Sequence, residues 1–355
     1  MGHLAIVNSD TIRRITNGHP YISIGGTLNA YPLKTISDLF ADALAVRDGD
    51  YIFTWMIDGG GTFGTGFDRY YIATGKVYFD SSDPDYPIKV GVKKGYSYAC
   101  SVPEEKALDL FRSHLLWNAI GKKSLGRGRS LSHQTLDEDG ELLSLLSQAN
   151  QGANPTVILS SPVYSHLFTR ITINNFGPVQ NYVVPPFTAL SSVLVNNIVW
   201  NSGNLFQYEK TLEAFLCENL DSIQVSFCNL LGYPNYRIKW LGNYLPYGVA
   251  GKNIDLVCEI ECASSSIVVV IELKKGPCNY NGYKAIVDEQ LNNYSQFIAD
   301  AYRSYRGNRF LIEQVVLTHS PRRNLASSVV QYKNTKWIGY DIDPINKTVS
   351  FARLL

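Results

Sequence analysis

Apolar and polar positions change their rhythm along the chain. In the first 150 residues short apolar runs are broken by turn residues. Asp50 to Met56 (DYIFTWM), Arg69 to Ala73, Val77 to Asp80 and Tyr86 to Val92 read as strands, separated by GGGTFGTG (59–66), Gly75 and Asp83-Pro84. Helices are expected over 104–117, behind Pro103, and over Asp137 to Leu146, where acids fill the first turn. Residues 147–204 are rich in Asn, Pro, Gly and Ser and hold no period until Val193 to Trp200, which suggests a partly ordered linker. The pattern then turns α/β. Tyr208 to Leu220 is amphipathic, with Leu212, Phe215, Leu216 and Leu220 on one face. Ile254 to Ile260 and Ile267 to Leu273 are strands, the second apolar in the manner of a buried central strand. A helix over Lys284 to Tyr302 and strands at Phe310 to Thr318, Lys336 to Asp341 and Thr348 to Leu355 complete the order.

Length changes this picture into a domain plan. A chain of 355 residues exceeds one ordinary core, so two domains are expected, 1–150 and 205–355, with 151–204 as linker. Hydrophobic residues at 45% and charged residues at 18% place it among globular rather than disordered chains. The longest apolar run, Ile267 to Ile271, is strand-sized, and the start MGHLAIVNSD lacks a basic flank before an apolar stretch. No membrane association and a cytoplasmic location are therefore expected. The six cysteines (100, 217, 228, 258, 262 and 278) have no CxxC spacing, which favours buried thiols over a zinc site.

Net charge is only +1, but it is unevenly spread. From Ala301 to Leu355 nine Lys/Arg, including Arg322 and Arg323, face three acids. Arg112, Lys122, Lys123, Arg127 and Arg129 form a second basic stretch without an intervening acid. Either stretch suits a phosphate backbone or an ordinary solvated face.

The chemistry-bearing signal is GKNIDLVCEI (251–260) followed by VVVIELKKG (268–276). Period-two alternation puts Glu272 and Lys274 on one face of a strand, and Asp255 shares that face if the two strands pair. Two carboxylates and an ammonium then converge beside an apolar sheet. Asp255 and Glu272 suit Mg²⁺ (or Mn²⁺), a hard cation that takes few protein ligands and keeps waters. Lys274 would orient a metal-acidified water or steady charge on phosphorus. A Glu-x-Lys on an exposed strand end would instead be a surface ion pair; the apolar strand and Asp255 favour the catalytic reading.

EKTLEAFL (209–216), GKNIDLV (251–257), VVVIELKKG (268–276) and QLNNY (290–294) resemble, in order, the motifs of PD-(D/E)xK nucleases. The nearest likeness is to the C-terminal domain of the archaeal NucS (EndoMS) endonucleases. The resemblance implies a restriction-endonuclease-like α/β core over about 150 residues. It implies metal carboxylates at Asp255 and Glu272, a catalytic lysine at Lys274, and a first-helix glutamate at Glu209 or, one turn on, Glu213. It also implies a helix carrying Gln290 and Tyr294 toward the site.

In the N-terminal half, GDYIFTW (49–55), GTGFDRYYIATGKVYFD (64–80), YPIKVGV (86–92) and SLGRGRSLSHQTLDEDGELLSLL (124–146) are similar to EVE-type domains. These are PUA-like barrels with helices, related to the YTH and ASCH families, and the likeness implies a pocket for an extruded base. Trp55, Phe67, Tyr70, Tyr71, Tyr78 and Phe79 would supply rings, and Asp58 or Asp80 an acceptor. Core packing is the competing role for each ring. The N-terminal domain of NucS is of another kind, which is where the likeness departs.

The histidines (3, 19, 114, 133, 166 and 319) show no HxH or HExxH spacing, and no GxxxxGK[ST] or GxSxG occurs, so no ATP dependence is implied. The combined reading is a Mg²⁺-dependent DNA endonuclease, a modification-dependent restriction enzyme that works as a homodimer. A mismatch- or structure-specific repair endonuclease, and an inactive nucleic-acid-binding protein, are the alternatives.

Overall fold

In the computed structural model the described residues are 2–24, 42–56, 66–79, 83, 86, 88–113, 131–134, 140–160, 209–247, 252–262, 265–274, 284–306, 309–319, 334–343 and 348–354. They form a mixed α/β protein with two sheets. The chain divides into two compact units, with described residues 2–160 in the first and 209–354 in the second.

The first unit contains β1 (Gly2–Val7), α1 (Ser9–Thr16), β2 (Tyr21–Ile24), β3 (Asp48–Met56), β4 (Gly66–Phe79), β5 (Ile88–Val102), α2 (Glu104–Ser113), β6 (Leu131–Gln134), α3 (Glu141–Ala149) and β7 (Thr156–Ser160). Among the described residues its sheet runs β2-β5-β4-β3-β1-β6, with β7 also on β5. This path is open, since β2 and β6 are not paired with one another. β4 and β7 differ from the sequence expectation in instructive ways. Gly75 does not end a strand: it adopts a φ of +67° inside β4, where the register slips between Ala73 and Val77. A Cβ there would lie 2.6 Å from the Asp48 nitrogen, so glycine builds a bulge where a turn was expected. β7 falls inside the stretch expected as linker, and it completes the first sheet.

Three contacts between acidic and basic side chains lie inside this unit. His3 Nε2 lies 2.7 Å from Asp50 Oδ2, joining β1 to the start of β3. Arg69 meets Asp68 through Nε (2.7 Å) and Nη2 (2.5 Å). Lys89, fully buried, donates to Ser23 Oγ (2.9 Å) and to Asp83 Oδ2 (2.5 Å), which Arg14 also reaches at 2.5 Å.

The second unit contains α4 (Glu209–Leu231), β8 (Ile238–Tyr247), β9 (Lys252–Glu261), β10 (Ser266–Lys274), a π-helical segment (Ala285–Leu291) running into α5 (Asn292–Arg306), β11 (Phe310–His319), β12 (Thr335–Asp343) and β13 (Thr348–Arg353). The helix expected to end at Leu220 continues to Leu231, where Gly232 at φ +88° follows it. Strand order is β13-β12-β11-β10-β9-β8, with β10, β11 and β12 mutually parallel. β8 was not expected; its Gly242 and Pro246 weaken the strand pattern, and proline is tolerated because β8 is an edge.

Helices cover both faces of this sheet. Leu216, Ile223 and Phe227 of α4 meet Leu256, Cys258, Ile271 and Leu317 around a small apolar gap. On the other face the Tyr302 hydroxyl of α5 donates to Glu259 (3.1 Å), and Gln314 Nε2 donates to Asn292 (3.0 Å) and Ser295 (3.1 Å). β10 lies in the middle of the sheet, and Ser266 to Leu273 are all buried. Among the described residues no helix is long and apolar enough to cross a membrane. The described cysteines are free: Cys217, Cys228 and Cys258 are buried, Cys100 is exposed and Cys262 half-buried.

Candidate active site

β9 and β10 pair antiparallel, with Ile271 opposite Leu256 as the last matched positions. Asp255 and Glu272 stand one step beyond, on adjacent strands and the same face, because cross-strand neighbours share a face. Asp255 Oδ2 accepts from the Leu273 backbone N–H at 2.9 Å, which fixes its carboxylate against β10. Lys274, two residues past Glu272, folds back: its Nζ lies 2.6 Å from Glu272 Oε1 and 2.9 Å from the Leu273 carbonyl. Glu209, the first residue of α4, brings Oε1 to 3.9 Å from the same Nζ.

Burial makes this cluster electrostatically unbalanced. The Glu272 side chain is 4% exposed and Lys274 21%, while Glu209 at 41% reaches solvent. Desolvation, then the neighbouring Asp255 charge, pushes Glu272 up to about 7, against the pull of Lys274. For Lys274 burial works to lower the pKa, yet Glu272, Glu209 and Asp255 outweigh it and hold the ammonium firmly charged. Three carboxylates therefore surround one cation. Asp255 Oδ1 and Glu272 Oε2 have no hydrogen bond among the described residues.

Two further rings approach. Tyr294 of α5 is buried, with its hydroxyl pushed up to about 12 by burial and by Glu272 and Asp255; its hydrogen bond with Gln290 opposes that rise. Gln290 is half-buried in the π-helical segment, which closes with the Asn292 N–H donating to the Val287 carbonyl. Such wide turns concentrate at functional sites. Tyr340 of β12 is fully buried and raised by burial and by Glu209, and its ring lies 5.3 Å from that of His319. His319 is itself lowered by burial, with Asp341 pulling the other way.

The structure thus brings together Glu209, Asp255, Glu272 and Lys274, with Gln290 and Tyr294 alongside. Glu213 is buried one turn along α4. His319 and Tyr340 were missed by sequence reasoning. The available signal was position: His319 ends β11 beside β10, Tyr340 of β12 stands opposite it, and carboxyl ends of parallel strands gather ligand groups. Arg127, Arg129, Arg322 and Arg323 lie outside the described residues, as do Asp58 and Asp80.

The N-terminal rings divide. Trp55 and Phe67 are buried and pack edge to face at 4.7 Å, and Tyr71 and Tyr78 are buried too. Trp55, Phe67 and Tyr78 therefore take the core role that competed with the base pocket. Tyr70 keeps exposed surface. Phe79 ends β4 opposite Ile88. Among the described residues no group of three or more His, Cys, Asp or Glu side chains forms a ready metal site. No protein-family profile, curated protein or solved structure matches the chain.

Proposed function

We propose that this protein is a metal-dependent endonuclease that hydrolyses DNA phosphodiester bonds at the end of β9 and β10. One observation carries the reading: Asp255 and Glu272 sit side by side with Lys274 as their shared cation, and among the described residues each keeps one carboxylate oxygen without a hydrogen bond. A pair of adjacent carboxylates, one buried and one half-buried, suits a hard divalent cation, which needs one or two such ligands and fills its other positions with water. Mg²⁺ or Mn²⁺, when bound, supplies Lewis acidity and a more acidic water.

The chain's own groups take the remaining tasks. The Leu273 N–H orients Asp255, so its free oxygen keeps a fixed direction. Lys274 compensates Glu272 until that carboxylate is engaged, and then offers its ammonium to a phosphate oxygen or the attacking water. Glu209, with 41% of its side chain exposed, is placed to accept a proton or hold a water at the rim. Tyr294, kept neutral by its neighbours, is a hydroxyl donor beside the carboxylates.

The restriction-endonuclease-like core, the PUA-like character of the first unit, the homodimer and the choice of a modified base belong to this proposal. The first unit would select the substrate, and the second would cut it. The test is incubation of the full chain and Mg²⁺ with plain, methylated, hydroxymethylated, mismatched and branched duplexes. Cleavage confined to modified duplexes is the expected outcome. Cleavage confined to mismatched or branched ones would replace the restriction role with repair, and no cleavage of any would end the nuclease reading.

A further inference from the structure

The sheet of the first unit carries an ordered aromatic surface of which only Tyr70 was given a role above. Two registered rows cross it. In one, Phe53 of β3, Tyr70 of β4, Tyr96 of β5 and Val157 of β7 stand opposite one another. In the next, Tyr51, Ile72, Lys94 and Ser160 do the same. Residues opposite each other share a face, and residues two apart repeat it, so both rows and Tyr98 lie on one side of the sheet. The intervening positions Ile52, Tyr71 and Gly95 form the inner face. A Cβ at Gly95 would come within 2.7 Å of the buried Tyr71 ring, so this face is closed by packing.

The outer rows open toward solvent in a graded way. Phe53 is buried, Tyr51, Tyr70, Tyr96 and Tyr98 are half-exposed, and Val157 is 55% exposed. Tyr70 and Tyr96 stack at 4.9 Å with planes 21° apart, and Tyr51 meets Tyr70 edge to face at 5.7 Å. These contacts hold the rings in place before any ligand arrives. Burial and the neighbouring phenols raise the Tyr70 hydroxyl to about 12, so the patch carries no negative charge of its own at neutral pH. Lys94, exposed within the second row, is its one formal charge among the described residues, and neither row contains a carboxylate.

From these rows we infer that the β3–β4–β5–β7 face binds single-stranded nucleic acid, stacking unpaired bases on Tyr96, Tyr98 and Tyr51 while Lys94 meets a phosphate. The chemistry fits. Every base has a π-face, rigid tyrosines stack on it without selecting sequence, and a cation among them favours a polyanion over an acidic or neutral surface. Contiguous exposed aromatic surface is costly to keep unless something covers it. The inference rests on the nucleic-acid reading above and moves base contact from Trp55, Phe67 and Tyr78 to the outer tyrosines.

Fluorescence anisotropy on the full chain in EDTA tests this without cleavage. The probes are a labelled oligothymidylate and an abasic oligomer of the same length, which keeps the phosphates and removes the bases. Oligothymidylate should bind more tightly than the abasic strand. Tyr96→Ala or Tyr98→Ala should weaken it by roughly 5- to 150-fold per stacked base. Tyr96→Phe should retain binding, because stacking needs the ring and not the hydroxyl. Lys94→Ala should flatten the salt dependence by about 0.7 in logarithmic slope for one lost phosphate contact. Equal affinity for the abasic strand, or full affinity in Tyr96→Ala, overturns the inference. So does self-association of the chain that Tyr96→Ala abolishes, which would make this face a contact with a second copy. Because binding is read without metal, loss of oligothymidylate binding with duplex cleavage intact removes this surface alone. Intact binding without cleavage removes the nuclease instead.

Discussion

Buried charge is handled in opposite ways in the two units. In the first, three buried or half-buried carboxylates each meet a basic side chain. Asp50 has His3, Asp68 has Arg69, and Asp83 has both Lys89 and Arg14. Burial pushes Asp50 and Asp83 upward, yet their partners outweigh it and both end below the ordinary carboxylate range. In the second, Asp255, Glu272 and Glu209 crowd one ammonium, and Glu272 ends well above that range. Matched pairs tie strands together. An unmatched cluster on a buried strand end stabilises little by itself and costs folding energy, which is the imbalance the proposed metal would relieve.

The largest effect should come from breaking a matched pair. Asp83→Ala leaves Lys89 charged and fully buried, which should cost about 3–5 kcal/mol in urea unfolding. A loss under about 1 kcal/mol would mean the first unit does not depend on its ion pairs. Next, Lys274→Ala should lower cleavage by about 10²–10³-fold in a variant that still folds, since removing one preorganised transition-state donor costs that much. A large stability loss with normal cleavage would make Lys274 structural.

Smaller effects have opposite signs with pH. Glu272 is raised, so its contribution to stability is fully present below its unfolded value, near 4.5, and is lost as pH climbs through about 7. In metal-free solution Glu272→Gln should therefore match wild type near pH 4 and exceed its Tm by a few degrees at pH 8, at roughly 2–4 °C per kcal/mol. Asp50 and Asp83 are depressed, so their contribution holds above the ordinary carboxylate pKa, near 3.8, and disappears as acid takes pH below it. Thermal scans of Glu272→Gln and Asp50→Asn across pH 3–8 separate the two regimes. The same sign for both would erase the contrast between the units.

The second unit was the more legible one. An apolar strand that carries Glu272 and Lys274 two positions apart at its end is legible, because period-two alternation puts both on one face whatever covers the strand. Sequence also indicated that Glu209 lies on a helix, but only the fold brings that helix start to Lys274. Tyr340 and His319 were illegible, because their proximity depends on parallel pairing of distant strands. In the first unit, aromatic content signalled ring chemistry without saying which rings face inward. The bulges at Phe53/Trp55 and Ala73/Val77 shift the alternation, and so decide that Trp55 is core while Tyr70 is half-open. β1, β2 and β7 were missed because strands this short carry too few alternations to stand out.

The central claim is that the charge imbalance at the end of β9 and β10 serves a metal. Cleavage of a duplex substrate with Mg²⁺ by wild type and Asp255→Asn tests it most directly, since the asparagine keeps shape and an acceptor for the Leu273 N–H while removing one negative charge. The account predicts cleavage by wild type that EDTA abolishes, and none by a folded Asp255→Asn. Full cleavage by Asp255→Asn would contradict it.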